Sequence, residues 1–451
     1  MDAKDAKQNP RAHADTLCDC LSGVQFNSRD RLRASMLPDE NAKAWRLARY
    51  AVIAIWIAAM ARLFIADVWD ETNALVVFGR GSGQSALQVI RVILKTPLPF
   101  WRPIPTILVA LVIHWIPNPE VTWRLLRSVN VAIVLAALWL FLKTLDAWDG
   151  RSERRNTFFT LAYLFSGGAI IVATWFANIF DAAVMLLVAW GLLLVTRNKF
   201  VSAGLLFGVA FFFKETAAMT LPLLVLLIAV DRIKIRDAVK VAIPTLSLGV
   251  FYFVLRSLVV PFGSAADTHQ FHATTILPTV MGLIESYWRE SLWGHATILG
   301  YVFFLFSLGA MRGLRARVAF AGFVAFAALI YMEMFTTYQG NALIHYLMFI
   351  PRLYFIPVVL SLFVFAVDRR WWAVAILAIP LLAGAVGTYM RYERFQRSYR
   401  NLYRYARTAP KPVRIDYAMK PLHDPARGIE IGDFPDAHLR IDPVNGLLVK
   451  R

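Results

Sequence analysis

The chain has 451 residues, of which 58% are hydrophobic and only 17% charged, and its net charge is +18. Soluble domains carry about 25% charged residues, so this composition excludes an ordinary soluble protein and indicates a surface that faces lipid. The positive charge does not indicate nucleic-acid binding, because most Lys and Arg lie in short clusters between apolar runs, as the positive-inside bias predicts. The two cysteines, Cys18 and Cys20, precede the first apolar run, which argues against a disulfide framework or a structural metal site.

Residues 1–46 are polar and lack the hydrophobic region of a signal peptide, so they are predicted to be a disordered cytoplasmic tail. The basic stretch 43–49 precedes the first predicted span, residues 50–66, and this charge places the N-terminus inside. The chain then emerges at residues 67–71 on the outer face.

Five basic clusters set the orientation of the remaining spans. They are predicted to be cytoplasmic turns, and two apolar runs with one mostly uncharged turn lie between each neighbouring pair: residues 151–155, 197–199, 232–240, 312–317 and 368–370. The uncharged turns then face outward. The pattern predicts an all-α polytopic membrane domain over residues 47–390, with about 11 transmembrane helices of the length that a bilayer requires.

Because Asp70 is predicted to lie outside and Arg151 inside, the chain between them must cross the membrane an odd number of times. Two apolar runs lie there, and residues 103–116 are the shorter and contain His114. This run is therefore predicted to be a helix in the outer interface, and residues 128–142 the second span. The first outer loop is then long and carries interfacial helices. Residues 391–451 are predicted to be a C-terminal tail on the outer face, although an interfacial helix on either face would also explain their basic, aromatic start.

Several charged residues beside the spans are candidates for chemistry, and this frame places all of them on the outer face. The carboxylates are Asp70, Glu71, Asp181 and Glu215, and the cations are Arg102, Lys214, Arg256 and Arg352. Each has an ordinary explanation as a helix cap, an ion pair or a cation that reaches the lipid headgroups. Together, however, they suit a reaction between a lipid-linked phosphate donor and a nucleophile, because a leaving phosphate requires nearby positive charge and an acceptor requires a base.

The pattern resembles the GT-C superfamily of membrane glycosyltransferases, which take sugars from polyprenyl-phosphate lipids. The acidic pair Asp70-Glu71 after the first span and the long first outer loop are features of that superfamily. Four segments resemble, in order, motifs of the branch that contains the protein O-mannosyltransferases: residues 100–104, 118–130, 213–222 and 351–357. The resemblance covers roughly residues 49–365.

The resemblance implies a GT-C-like bundle that transfers a sugar from a polyprenyl-phosphate-linked donor to a glycan, lipid or protein acceptor. It implies an inner-membrane enzyme with its active site facing the periplasm. In the implied site Asp70 is the general base, Glu71 orients the acceptor, and Asp181 is a second carboxylate on the acceptor side or a metal ligand. The donor phosphate would be held by Arg102, Lys214, Arg352 and Arg256, with Glu215 in an ion pair. A divalent cation stays open, since such enzymes include metal-dependent and metal-independent types.

Three alternatives remain. A lipid or solute transporter or flippase would place charges along a pathway at membrane depth, whereas the middle of each predicted span is almost uncharged. An O-antigen ligase or polymerase would rest on a large late outer loop, for which only residues 261–292, with His269 and His272, qualify. A structural subunit with a degenerate site would have charges that fail to converge in space.

Overall fold

The computed structural model describes residues 41–67, 85–95, 101–116, 118–260, 297–338, 343–416, 422–424, 428–441 and 448–450. Within this part the chain is helical up to residue 408 and then forms a small β-sheet. The first seven α-helices are α1 Ala42–Arg62, α2 Ala86–Lys95, α3 Pro103–Trp115, α4 Pro119–Asp149, α5 Glu153–Leu164, α6 Gly167–Thr174 and α7 Ile179–Thr196. The next seven are α8 Phe200–Val209, α9 Thr220–Ala229, α10 Ile235–Val259, α11 Thr297–Ala310, α12 Gly313–Tyr338, α13 Leu343–Val367 and α14 Trp371–Thr408.

The protein is a helical membrane protein, as its composition predicts. In the described part, five helices are long and apolar enough to cross a bilayer: α1, α4, α7, α10 and α14. The pair α5 and α6, bent by 62°, makes a sixth if it is one span. The count of about 11 is not confirmed, because several of the predicted runs are shorter helices, such as Phe200–Phe212 and Glu215–Ala229.

The termini of α4 show how local sequence sets a helix. Asn118 caps its start, where the side-chain oxygen accepts hydrogen bonds from the backbone N–H groups of Glu120 and Val121, and Pro119 fits the first helical position because it has no N–H to satisfy. The helix ends at Gly150, whose φ of 76° is costly for other residues. Between these signals a 31-residue helix is uninterrupted.

One end of the bundle is joined by ion pairs between loops, and we call it the basic face. Asp149, at the end of α4, accepts from Arg232 Nη1 at 2.8 Å and from Arg369 Nε at 3.2 Å. Arg232, between α9 and α10, also donates to the Val367 carbonyl at the end of α13. Glu153, at the start of α5, pairs with Arg49 of α1 at 2.8 Å. The starts of α1, α5, α10 and α14 therefore lie together here, with the ends of α4, α9 and α13.

The opposite end of the bundle, which we call the site face, gathers the other ends of these helices. Arg127, near the start of α4, donates to the carbonyl oxygens of Leu63 and Ala66, just after α1. Tyr392 of α14 donates to the Thr174 carbonyl at the end of α6. Helices α1, α4 and α14, and the bent pair α5–α6, thus each run from one face to the other.

Helix α3 begins and ends on the site face. Arg102, directly before it, pairs with Glu215, and the carbonyl of Ile116, directly after it, accepts from Thr122 in the first turn of α4. Its 13 residues extend about 20 Å, short of the roughly 30 Å hydrocarbon core. This agrees with the prediction that the run does not cross. The amphipathic α2 packs on it, with Val89 and Ile93 against Ala110.

Helices α8 and α10 approach each other closely because α8 carries two glycines where a side chain would not fit. A Cβ at Gly204 would lie 2.3 Å from the carbonyl oxygen of Val241, and one at Gly208 would lie 2.6 Å from Leu248 Cβ. The close approach lets Thr245 donate to the Gly204 carbonyl at 3.1 Å. It fixes α10, which carries Tyr252 and Arg256, against the helix that leads to Lys214.

Helix α14 runs unbroken through residue 390, where the membrane domain was predicted to end. Its 38 residues extend about 57 Å, longer than a bilayer with its headgroup layers. Beyond it lies a five-stranded sheet of order β2-β3-β1-β4-β5. The strands are β1 Val413–Asp416, β2 Leu422–Asp424, β3 Ile429–Gly432, β4 Leu439–Ile441 and β5 Leu448–Lys450. β1 lies parallel to β3 and β4, and the two edge strands are antiparallel to their neighbours. The sequence does not predict this sheet.

Candidate active site

A break in the helices places Lys214 and Glu215 at the site face. After α8 the chain makes a 3₁₀ turn at Ala210–Phe212 and a second at Glu215–Met219. Lys214 lies between them in an extended conformation, with φ −166° and ψ 145°. Successive side chains of an extended segment point in opposite directions, so the two neighbouring charges reach different partners.

Lys214 forms a buried ion pair with Asp181. The ammonium nitrogen lies 2.5 Å from Asp181 Oδ1, and the two side chains are 5% and 2% exposed. Asp181 occupies the first turn of α7, where the partial positive charge of the helix N-terminus also favours a carboxylate. Removal of either partner would deprive the other buried charge of this ion pair, which is costly.

Glu215 forms a second, partly buried pair, with Arg102. Its Oε2 accepts from Arg102 Nη2 at 2.9 Å and Nε at 3.2 Å. Its Oε1 lies 2.8 Å from the Tyr252 hydroxyl, which also lies 2.8 Å from the Trp101 carbonyl oxygen. The Arg102 guanidinium further lies over the Phe180 ring, 5.3 Å from its centroid. Residues from the segment between α1 and α4, from α7, from the helix break and from α10 therefore meet at one place.

The two ion pairs form one electrostatic cluster. Burial acts to lower the pKa of Arg102, but the carboxylate of Glu215, then Tyr252 and Asp181, favour the charged guanidinium, so that its pKa is raised. Because Asp181 is the partner of Lys214, the two pairs influence each other. We call Arg102, Asp181, Lys214 and Glu215 the charge cluster. Its members lie up to 113 residues apart in sequence.

Arg256 lies on the same helix as Tyr252, one turn closer to the end of α10, and its side chain is 1% exposed. Residues four apart share a face of a helix, so Arg256 extends the cluster along α10. Burial of a guanidinium in a spanning helix costs free energy, so such residues are usually paired or functional.

The side chains of three candidate residues from the sequence are not described. Asp70 and Glu71 lie outside the described residues. Arg352 lies in the described helix α13, fifteen residues before Val367, or about 22 Å from the basic face along the axis, but its side chain is not described. The structure thus brings together Arg102, Asp181, Lys214 and Glu215, with Arg256 one helical turn from Tyr252.

The segment directly after α1 is held by two residues that were not among the candidates from the sequence. Arg127 and Gln396 are fully buried and bind the backbone of residues 63–66. Tyr403 donates to the carbonyl of Asp67 at 3.2 Å, which is the last described residue before Asp70. A sequence signal existed for Arg127, because a charged residue within an apolar helix is unusual.

The described residues contain no group of three or more His, Cys, Asp or Glu side chains suited to hold a metal ion. Asp181, the carboxylate considered as a metal ligand, is paired with Lys214. In the described spans the ion pairs lie toward the two faces of the bundle.

Comparison with known proteins gives one distant likeness. No family model matches the chain, and no curated protein matches it. Among solved structures the chain is similar to the crystal structure of ArnT from Cupriavidus metallidurans bound to undecaprenyl phosphate, with 13% sequence identity, 82% of each chain covered and a TM-score of 0.48. A likeness at this level identifies no activity.

Proposed function

We propose that the chain is a membrane glycosyltransferase of the GT-C type, which moves a sugar from a polyprenyl-phosphate-linked donor to a glycan, lipid or protein acceptor. The observation that carries this proposal is the convergence of the charge cluster at the site face. Helix caps and cations that reach lipid headgroups require no common centre. Three segments distant in sequence nevertheless deliver two cations and two carboxylates to one place.

The cations suit the donor phosphate. Arg102 offers a planar fork that matches two phosphate oxygens, and Lys214 offers a compact charge. Lys214 is buried, and Arg102 is partly buried over the Phe180 ring, in a setting where electrostatic stabilisation of a leaving phosphate exceeds that in water. Arg256 and Arg352 are proposed to extend this phosphate site. The donor phosphate would compete with Asp181 and Glu215 for the two cations.

The apolar surroundings suit a polyprenyl tail. Helices α2 and α3 belong to the segment between α1 and α4, and α2 exposes Leu87, Val92 and Leu94 on the side away from Ala110. These exposed aliphatic side chains lie on the helix that packs on α3, and Arg102 of the charge cluster directly precedes α3. The tail would lie against these helices while the phosphate enters the cluster.

The acceptor would be activated by Asp70, which we propose as the general base, with Glu71 orienting the acceptor. Arg127 and Gln396 hold the backbone four residues before Asp70. Asp181, released from Lys214 when the phosphate binds, would be a second carboxylate on the acceptor side or a metal ligand. A divalent cation is compatible with this proposal and is not required by it.

The proposed orientation places the basic face in the cytoplasm, as the positive-inside bias favours. The site face then opens to the outer compartment, the periplasm of a bacterial inner membrane. A transporter would use charges in the middle of its spans, and the described ion pairs are not arranged in that way.

Donor binding tests the proposal. Purified protein in nanodiscs would be titrated with a fluorescent polyprenyl phosphate, and its turnover measured with a panel of polyprenyl-phosphate hexoses and pentoses. Lys214→Ala and Arg102→Ala are expected to lower affinity and turnover together, since both the bound and the leaving phosphate lose a charge partner. The control is Lys143→Ala, which removes an exposed cation of α4. Unchanged affinity in both site variants would refute the proposal.

A further inference from the structure

A line of arginines runs along the part of α14 that lies beyond residue 390. These arginines are exposed and recur every three or four residues, so that they share one face of the helix: Arg394, Arg397, Arg400, Arg404 and Arg407. We call them the arginine stripe. From its first to its last member the stripe extends about 20 Å along the helix.

The other face of this stretch is packed against the protein. Its buried residues follow the same three-and-four spacing: Tyr392, Phe395, Gln396, Tyr399, Leu402 and Ala406. The helix is therefore fixed and presents the stripe to the surroundings. Arg397 pairs with Glu393 at 2.6 Å, whereas Arg394, Arg400, Arg404 and Arg407 have no acidic partner among the described residues. Like charges at this spacing repel, and a bound polyanion would relieve the repulsion.

A cleft lies at the end of the stripe, between the last turn of α14 and the β-sheet. Its volume is about 600 Å³, and its lining includes Tyr405, Arg414, Asp433, Phe434 and His438. Two aromatic rings and several hydrogen-bonding groups in an open cleft suit a sugar, whose faces stack on rings and whose hydroxyls require polar partners. Ligand sites commonly combine such apolar surfaces with a few polar groups.

The stripe lies on the stretch of α14 that contacts the chain just after α1. Tyr403, within this stretch, donates to the carbonyl of Asp67 at 3.2 Å, and Asp67 is three residues before Asp70 in the sequence. The stripe carries none of the residues of the charge cluster.

We propose that the arginine stripe and the adjoining cleft dock an anionic glycan, a saccharide chain that bears phosphate, sulfate or carboxylate groups. The acidic groups contact the stripe and the sugar rings enter the cleft. Identification of this chain as the acceptor rests on the proposed function, whereas the docking surface itself does not.

The length of the stripe favours a glycan over the lipid surface. The headgroup layer on one side of a bilayer is about 5–8 Å thick, so most of a 20 Å stripe that continues a spanning helix stands beyond it. A chain that rises from the membrane can follow all five arginines, whereas lipid headgroups reach only the first ones.

The test measures polyanion binding to the full-length protein in phosphatidylcholine nanodiscs. The probes are a fluorescent dextran sulfate oligosaccharide and neutral dextran of the same length. The stripe variant Arg394→Gln/Arg400→Gln/Arg404→Gln/Arg407→Gln is expected to bind dextran sulfate at least tenfold more weakly than the unchanged protein. Neutral dextran should bind far more weakly than dextran sulfate, and salt should reduce the difference because it screens exposed charges.

The matched control removes four exposed cations near the basic face: Arg197→Gln/Lys199→Gln/Lys234→Gln/Arg236→Gln. It should bind dextran sulfate as the unchanged protein does. An equal loss in both variants would mean that net charge alone attracts the probe, and this would overturn the proposal. Tyr405→Ala, which leaves every arginine in place, should also weaken binding if the cleft takes sugar rings.

Two further measurements separate the alternatives. Nanodiscs that contain phosphatidylglycerol should retain dextran sulfate binding, and abolished binding there would assign the stripe to lipid headgroups and overturn the proposal. The stripe variant should keep its affinity for polyprenyl phosphate, while Lys214→Ala should lose that affinity and keep dextran sulfate binding. Retained polyprenyl phosphate binding in Lys214→Ala would count against the proposed function and leave the docking surface standing.

Discussion

Arg127 Nη1 of α4 lies 3.4 Å from Gln396 Oε1 of α14, and both side chains are fully buried. The same Gln396 oxygen accepts from the backbone N–H of Ile65 at 3.0 Å. Arg127 Nη2 donates to the Ala66 carbonyl at 2.7 Å, and its guanidinium lies over the Trp123 ring, 4.5 Å from the centroid. Two distant helices thus hold the backbone that leads into Asp70.

Gln396→Leu is expected to destabilise the protein by about 1–3 kcal/mol, because the buried N–H of Ile65 loses its acceptor. Thermal unfolding in nanodiscs measures the change. Asn401→Leu on the exposed face of the same helix is the control and should leave the midpoint nearly unchanged. A Gln396→Leu midpoint equal to that of the control would show that the hydrogen bond contributes nothing.

Replacement of Lys214 or Asp181 alone should strongly lower the free energy of unfolding. Replacement of both should lower it by less than the sum of the two single effects. Lys214→Met leaves Asp181 buried without its ammonium partner, and Asp181→Leu leaves Lys214 without its carboxylate. Each should cost about 3–5 kcal/mol. The double variant removes both charges, and a double-mutant cycle of unfolding free energies should give a clear coupling term. Additive effects would mean that the pair does not form.

Asp70→Asn keeps the size of the side chain but removes its capacity to take a proton. If Asp70 is the general base, turnover should fall about 10²–10⁴-fold, and affinity for polyprenyl phosphate should barely change. Single-turnover rates and binding titrations on the same purified sample provide the two values. Near-normal turnover would leave Glu71 or Asp181 as the candidate base.

Gly204→Ala should separate α8 from α10, because the added Cβ would meet the Val241 carbonyl oxygen at 2.3 Å. Overpacking of this kind costs about 1–3 kcal/mol. A Cβ at Gly322, in α12, would meet no atom within 4 Å, so Gly322→Ala should be neutral or slightly stabilising. Equal unfolding midpoints for the two variants would contradict the close approach of α8 and α10.

The sequence predicted that several of these charges would lie on one face, but it did not predict their partners. Charge and apolar runs indicated the shared face of Arg102, Asp181 and Lys214, since both signals are local. The pairing of Lys214 with Asp181 joins residues 33 apart, and no spacing rule predicts it. Tyr252 and Gln396 were missed because each is one polar residue in a helix, and its value depends on partners far along the chain.

The C-terminal region shows a different limit. Composition changes from apolar to basic near residue 390, and this change was interpreted as the end of a domain. The spacing of Tyr392, Phe395 and Tyr399 continues a buried helical face, so the helix extends past this change in composition. Strands of three or four residues, such as β2 and β4, are too short to show a clear alternation of apolar and polar residues in the sequence.

The two ion pairs also bear on how the site would distinguish what it binds from what it releases. Arg102 and Lys214 carry two positive charges and Asp181 and Glu215 carry two negative ones, so the four members of the charge cluster balance one another. A phosphodiester donor brings one further negative charge. After sugar transfer the remaining phosphate is a monoester, which carries about −1.5 to −2 at pH 7. The spent lipid phosphate therefore adds more negative charge to the cluster than the donor does, and this difference favours its departure.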